Sequence, residues 1–115
     1  MLSTAETDQV LEQDMDRMAE NARTATDFLK ALAHEGRLMI LCYLVTGERC
    51  VTELEDLLSA RQPAVSQQLA RLRMEGLVDT RREGKTVYYS ISDAQTKKTV
   101  EFLYGMFCGR NPGAA

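Results

Sequence analysis

Residues 52–91 read TELEDLLSARQPAVSQQLARLRMEGLVDTRREGKTVYYSI, a short helical run, a turn, a second helical run with a polar outer face, a glycine, and a hairpin with a basic tip. Val65, Leu69 and Leu72 recur at i, i+4 and i+7 in the second run, one apolar stripe for a core. At about 100° per residue, Gln67 and Arg71 point away from that stripe, with Ser66 and Gln68 on its flanks. Pro63 falls in the first turn, where a missing N–H costs little, and Gly76 suits a left-handed C-terminal cap. Residues 77–82 and 86–91 are β-favouring, with Val87, Tyr89 and Ile91 alternating against Thr86, Tyr88 and Ser90. Glu83-Gly84-Lys85 supplies the turn, and Arg81, Arg82 and Lys85 cluster at its tip.

That order predicts a winged helix-turn-helix, whose second helix enters the DNA major groove. Glutamine can pair bidentately with adenine and arginine with guanine, while serine suits either. Gln62, Ser66, Gln67, Gln68 and Arg71 are therefore the candidate base-reading residues, and Arg82 and Lys85 the candidate phosphate contacts. An ordinary solvated helix accounts for the amides alone, and a solvated turn for the basic tip alone. The two in sequence favour nucleic acid.

The net charge of −3 argues superficially against such a partner, but its distribution does not. Residues 1–60 carry twelve acidic and five basic side chains, whereas residues 61–115 carry nine basic and five acidic. Six of those nine fall between Arg61 and Lys85, and binding follows the local field. At 115 residues the chain is expected to be one winged-helix domain spanning residues 1–115, with tails at 1–7 and 109–115. The polar, acidic start and the lack of a long apolar run predict a cytoplasmic protein with no membrane partner.

Leu11, Met15, Met18, Ala22, Ala25, Leu29 and Leu32 are spaced 4, 3, 4, 3, 4, 3, a heptad stripe. A helix this long on so small a domain has more stripe than one core needs, which favours a dimer contact over packing within the subunit. A second helix is expected from about His34 to Val45, and a third over 51–58, with Cys50 and Glu53 at capping-box spacing. Ser92 or Asp93 caps a last helix, on which Val100, Leu103 and Phe107 form one apolar stripe and Phe102 and Met106 another. Leu11, Met15, Met18, Ala22, Leu29, Leu103 and Phe107 are the candidate dimer contacts. The expected fold is thus mostly α with a small β-hairpin: four helices, two strands, a fifth helix, in a dimer.

KALAHEGRLMIL (30–41), RQPAVSQQLARLRMEGLV (61–78) and REGKTVYYSI (82–91) resemble the ArsR family of dimeric winged-helix repressors. The resemblance runs from about Met15 to Cys108 and implies a homodimer on an inverted-repeat operator, released by an inducer. Metal-sensing members carry Glu-Leu-Cys-Val-Cys-Asp-Leu where this chain has Glu48-Arg49-Cys50-Val51-Thr52-Glu53-Leu54, so the second thiolate is missing. Other members bind zinc through aspartate and histidine on the last helix, but Asp93 has no histidine partner, and His34 reads as a helix-start residue. Neither metal site is complete, and no cofactor is implied. Cys42 and Cys108, one on each of helices 2 and 5, instead resemble the persulfide-sensing branch, the SqrR and BigR type. There the matching pair is bridged by extra sulfur, operator binding weakens, and sulfide-detoxification genes are derepressed. Against this, free cysteines are often inert and buried. Local electrostatics favour Cys50, at a helix start beside Arg49, as the reactive thiol. The alternative is a metalloid or peroxide sensor using Cys50 with Cys42 or Cys108. A thiol enzyme is remote, because no acid–base partner recurs near any cysteine.

Overall fold

A computed structural model describes the backbone of residues 4–59 and 62–108, and the side chains of residues 15–59 and 64–108. The elements run α1 (Thr4–Leu32), α2 (Glu35–Leu44), β1 (Arg49–Cys50), α3 (Val51–Leu58), α4 (Gln62–Met74), β2 (Val78–Glu83), β3 (Thr86–Ile91) and α5 (Ala94–Cys108). Among the described residues this is a mostly helical winged helix-turn-helix, as the sequence predicts. Two compact units divide the chain, Met1–Lys30 and Ala31–Ala115.

The first unit is nearly all of α1. The helix takes in residues 4–7, which the sequence reading gave to a tail, because alanine and glutamate at 5 and 6 favour helix from its first turn. The other expected tail, 109–115, lies outside the described residues, as does the side chain of Leu11. Met15, Met18 and Leu29 of the heptad stripe are exposed, at 70%, 63% and 56%.

In the second unit, Ala31, Leu32, Ile40, Leu41, Leu44, Leu54, Val65, Leu69, Leu72, Val78 and Val100 are buried and form the core. The stripe of α4 that the sequence marked is fully inside. Removing a side chain such as Leu69 would cost about 2–5 kcal/mol. His34 is the N-cap of α2, its Nδ1 accepting from the Gly36 N–H at 3.1 Å. The end of α4 is closed by Gly76 at φ 77°, with Leu77 N–H donating to Leu72 O at 2.9 Å and Gly76 N–H to Arg73 O at 3.0 Å. That pair of bonds is the Schellman motif, which satisfies the last carbonyls. Asp93, rather than Ser92, caps α5: its Oδ1 accepts from Thr96 N–H at 2.8 Å. Bonds from the Thr96 hydroxyl and then its N–H hold the Asp93 carboxyl below the usual range. Ser92 instead ties sheet to helix, donating through Oγ to Gly76 O at 2.6 Å.

The sheet differs from the expected hairpin in two ways. Its turn is the two residues Gly84-Lys85, since Glu83 pairs with Thr86, and strand β2 is displaced by one residue to Val78–Glu83. Gly84 has φ 63° and Lys85 does not share a positive φ, the pattern of a II′ turn with glycine first. Second, a further strand joins the hairpin. Arg49 and Cys50 pair antiparallel with Tyr89 and Tyr88, so the order is β1-β3-β2. Two residues carry no periodicity, and Cys50 is at once the end of β1 and the N-cap of α3.

Candidate nucleic-acid interface and thiol pair

Helices α3 and α4 form the reading head. Ser59 closes α3 in the left-handed region at φ 52°, and α4 begins at Gln62. The side chain of Gln62 lies outside the described residues. With Val65, Leu69 and Leu72 committed to the core, Gln67 and Arg71 are exposed and Ser66 and Gln68 half-buried, the arrangement the helical period predicts. Arg71 Nε pairs with Glu75 Oε1 one turn on, at 3.2 Å. Gln68 Nε2 lies 3.4 Å from His34 Nε2. Neither contact was visible in the sequence reading, although Arg71 and Glu75 have the i, i+4 spacing that announces such a pair.

The wing divides its basic residues between two tasks. Arg82 and Lys85 are exposed and have no ion-pair partner among the described residues. Arg81, grouped with them on sequence grounds, is occupied instead. Its Nε donates to Glu48 Oε2 at 3.1 Å, its Nη2 to Glu48 Oε1 at 2.5 Å, and its Nη1 to Glu83 Oε2 at 3.1 Å. The guanidinium lies 4.8 Å over the Tyr88 ring. In the register, Arg81 faces Tyr88 and Cys50 faces Tyr88 from the other side, so Arg81 straps β2 across β3 to the residue preceding β1. The Arg81 bonds hold the Glu48 carboxyl below its usual range. Arg81 is a brace, and the local positive field is smaller than the sequence suggests.

Cys42 and Cys50 are half-buried and Cys108 is exposed, and all are free thiols. Cys42, on α2, lies near enough to Cys108, at the end of α5, to feel its charge. Burial pushes the Cys42 thiol up, and the Cys108 sulfur pushes it further. Cys50 has other surroundings. Its N–H donates to Glu53 Oε1 at 3.0 Å, and that bond, first among several, holds the Glu53 carboxyl low. Arg49, expected to activate Cys50, turns to Tyr43 O at 3.2 Å and Thr46 Oγ1 at 3.3 Å, with Glu53 at 3.9 Å. Among the described residues no three histidine, cysteine, aspartate or glutamate side chains are grouped to hold a metal ion. Among them, too, no helix is long and apolar enough to cross a membrane.

On α5, Val100 is buried and Leu103 half-buried, whereas Phe102, Met106 and Phe107 are exposed at 66%, 55% and 78%. These three and Met15, Met18 and Leu29 of α1 are among the large apolar side chains left exposed, together with Met39, Leu57 and Met74 elsewhere among the described residues.

Known proteins share both the sequence and this geometry. The family described as "Bacterial regulatory protein, arsR family" matches residues 34–80, from the cap of α2 into β2. A biofilm growth-associated repressor of Agrobacterium fabrum is 46% identical over 91 residues, 79% of this chain and 78% of that protein. The transcriptional activator HlyU of Vibrio cholerae is 43% identical over 98 residues, 85% and 91% of the two chains. Among solved structures, reduced HlyU from Vibrio cholerae superposes with a TM-score of 0.77 at 44% identity, covering 80% of this chain and 97% of that one. The repressor BigR of Xylella fastidiosa gives 0.76 at 41% identity, covering 83% and 94%. These relatives are named as regulators, and the family match spans the reading head. With identities above 40% over more than three quarters of its length, the chain belongs to the arsR family of bacterial regulatory proteins.

Proposed function

We propose that the protein is a homodimeric transcriptional repressor that leaves its operator when reactive sulfur species bridge Cys42 and Cys108, so controlling sulfide-detoxification genes. The observation that supports this reading is that the two thiols, on separate helices 66 positions apart in sequence (108 minus 42), lie near enough for the Cys108 charge to reach Cys42. On this reading two persulfide molecules each transfer their outer sulfur to one thiol and depart as thiols. The two protein persulfides then condense, the terminal sulfur of one displacing sulfide from the Sγ of the other, which leaves one inserted sulfur. Each further persulfide consumed adds one more. The product is a Cys42–Sγ–Sₙ–Sγ–Cys108 bridge. Each inserted sulfur adds about 2 Å of reach, so the bridge can tolerate a separation that a plain disulfide cannot.

In the same reading, Gln62, Ser66, Gln67, Gln68 and Arg71 address bases of an inverted repeat, and Arg82 and Lys85 address phosphates. Met15, Met18, Ala22 and Leu29 on α1, with Leu103 and Phe107 on α5, meet a second copy of the chain. Leu11 completes the α1 stripe. The exposed apolar side chains of both helices support that assignment. A repressor rather than an activator is favoured because the Agrobacterium and Xylella relatives are named repressors, while HlyU is named an activator.

Intact-mass measurement after separate exposure to a persulfide donor, a peroxide, and zinc or arsenite tests the inducer. Gains of whole sulfurs less two hydrogens, with the persulfide only and absent in Cys42→Ser and Cys108→Ser, are the expected result. A stable adduct with arsenite, or oxygen addition alone, would replace sulfur with the other inducer class.

A further inference from the structure

His34 is the chain's single histidine, and it stands where α2 begins and α4 passes. Both ring nitrogens have neighbours. Nδ1 accepts from the Gly36 N–H at 3.1 Å, and Nε2 lies 3.4 Å from Gln68 Nε2 on the reading helix. Gly36 makes room for the arrangement. A Cβ there would meet His34 Cε1 at 3.3 Å, Nδ1 at 3.4 Å and Gln68 Cγ at 3.8 Å.

The hydrogens of this contact can be deduced. An acceptor at Nδ1 means the neutral ring carries its proton on Nε2. An amide nitrogen is a donor only, so Nε2–H facing Gln68 Nε2 sets donor against donor. Amide oxygen and nitrogen exchange places by a half-turn of the side chain, and the hydrogen-bond network decides between them. Here it requires Gln68 Oε1 toward the ring, accepting from Nε2–H, with the NH₂ turned away.

We propose that His34 is a positioning residue for operator reading, holding the Gln68 carbonyl inward so that this side chain meets DNA as a donor only. The proposal rests on the recognition-helix reading given above. Its consequence is a division of labour between adjacent amides. Bidentate pairing with adenine needs both ends of an amide, which Gln67, with no partner among the described residues, retains. Gln68 is left to groups that only accept: guanine N7 and O6, or a phosphate oxygen. The α2 cap and the base contact are thus set by one ring.

Long-range ¹H–¹⁵N spectra of the ring in the unmodified protein, at a pH where it is neutral, test the geometry without DNA. The expected signature is a protonated Nε2 and a bare Nδ1; the opposite tautomer overturns the proposal. A double-mutant cycle tests the role. Asparagine caps helices well but does not reach Gln68, so His34→Asn should leave the thermal midpoint close to that of the unmodified protein. It should weaken operator binding about three- to tenfold, and should do nothing further in a Gln68→Ala background. Equal losses in both backgrounds, or no loss in either, overturn the positioning role. Failure of the parent reading shows differently: Arg71→Ala would then leave operator affinity unchanged while the ring still showed the expected tautomer.

Discussion

A thiol half withdrawn from water keeps its proton longer, and Cys42 is such a thiol. Its folded value is raised above the unfolded one, so its contribution to stability is complete below the ordinary thiol range near pH ~8.5 and is lost as pH rises through the raised value. Thermal melts should therefore show the unmodified protein losing stability in alkaline buffer relative to Cys42→Ser, with the two converging near neutrality. Alkylation at neutral pH should mark Cys108 before Cys42, and peptide mapping would read the order. For the switch, Cys42→Ser and Cys108→Ser should bind operator normally yet stay bound under a persulfide donor, whereas Cys50→Ser responds like the parent. The reverse pattern would hand the switch to Cys50. Release needs a coupling of about 1–3 kcal/mol between bridge and operator. Arg71→Ala should cost about 1–3 kcal/mol on operator and relax one base pair per half-site. The outward faces of Gln67 and Arg71 were legible because a helical period fixes them once the buried stripe is known. The nearness of Cys42 to Cys108 was not: it depends on how α2 and α5 cross, and only family resemblance suggested it.

Helices announced themselves through their punctuation, and the strands did so less fully. His34, Gly76 and Asp93 sit at helix ends because each supplies an acceptor or a backbone angle that the helix lacks, and such needs are local. The brace on the wing is not local. Glu48 and Arg81 are 33 residues apart, and nothing in either neighbourhood points to the other. Its basic surroundings group Arg81 with the tip residues Arg82 and Lys85, whereas its partners are carboxylates. The distinction has a measurable form. Lys85→Ala should weaken all DNA sequences alike and reduce the slope of log affinity against log salt by about one ion. Arg81→Met should weaken operator binding through a loosened wing while leaving that slope nearly unchanged. Matching slopes for the two variants would place Arg81 among the phosphate contacts.

At the scale of the molecule, a 29-residue helix with exposed methionines and a terminal helix with exposed phenylalanines are the faces that the proposed dimer would cover. Charged replacements of Met18 and Leu29 should yield monomers in sedimentation and abolish operator binding, since two half-sites must be held together. A dimer that survives both changes would place the stripe in some other contact. One join bears on how such a dimer could let go. Cys50 ends β1 and caps α3 with no residue between them, while β1 is paired to the central strand of the wing. A linkage without slack transmits rotation instead of absorbing it. On the proposed reading, wing and reading head would turn as one lever about that single fulcrum.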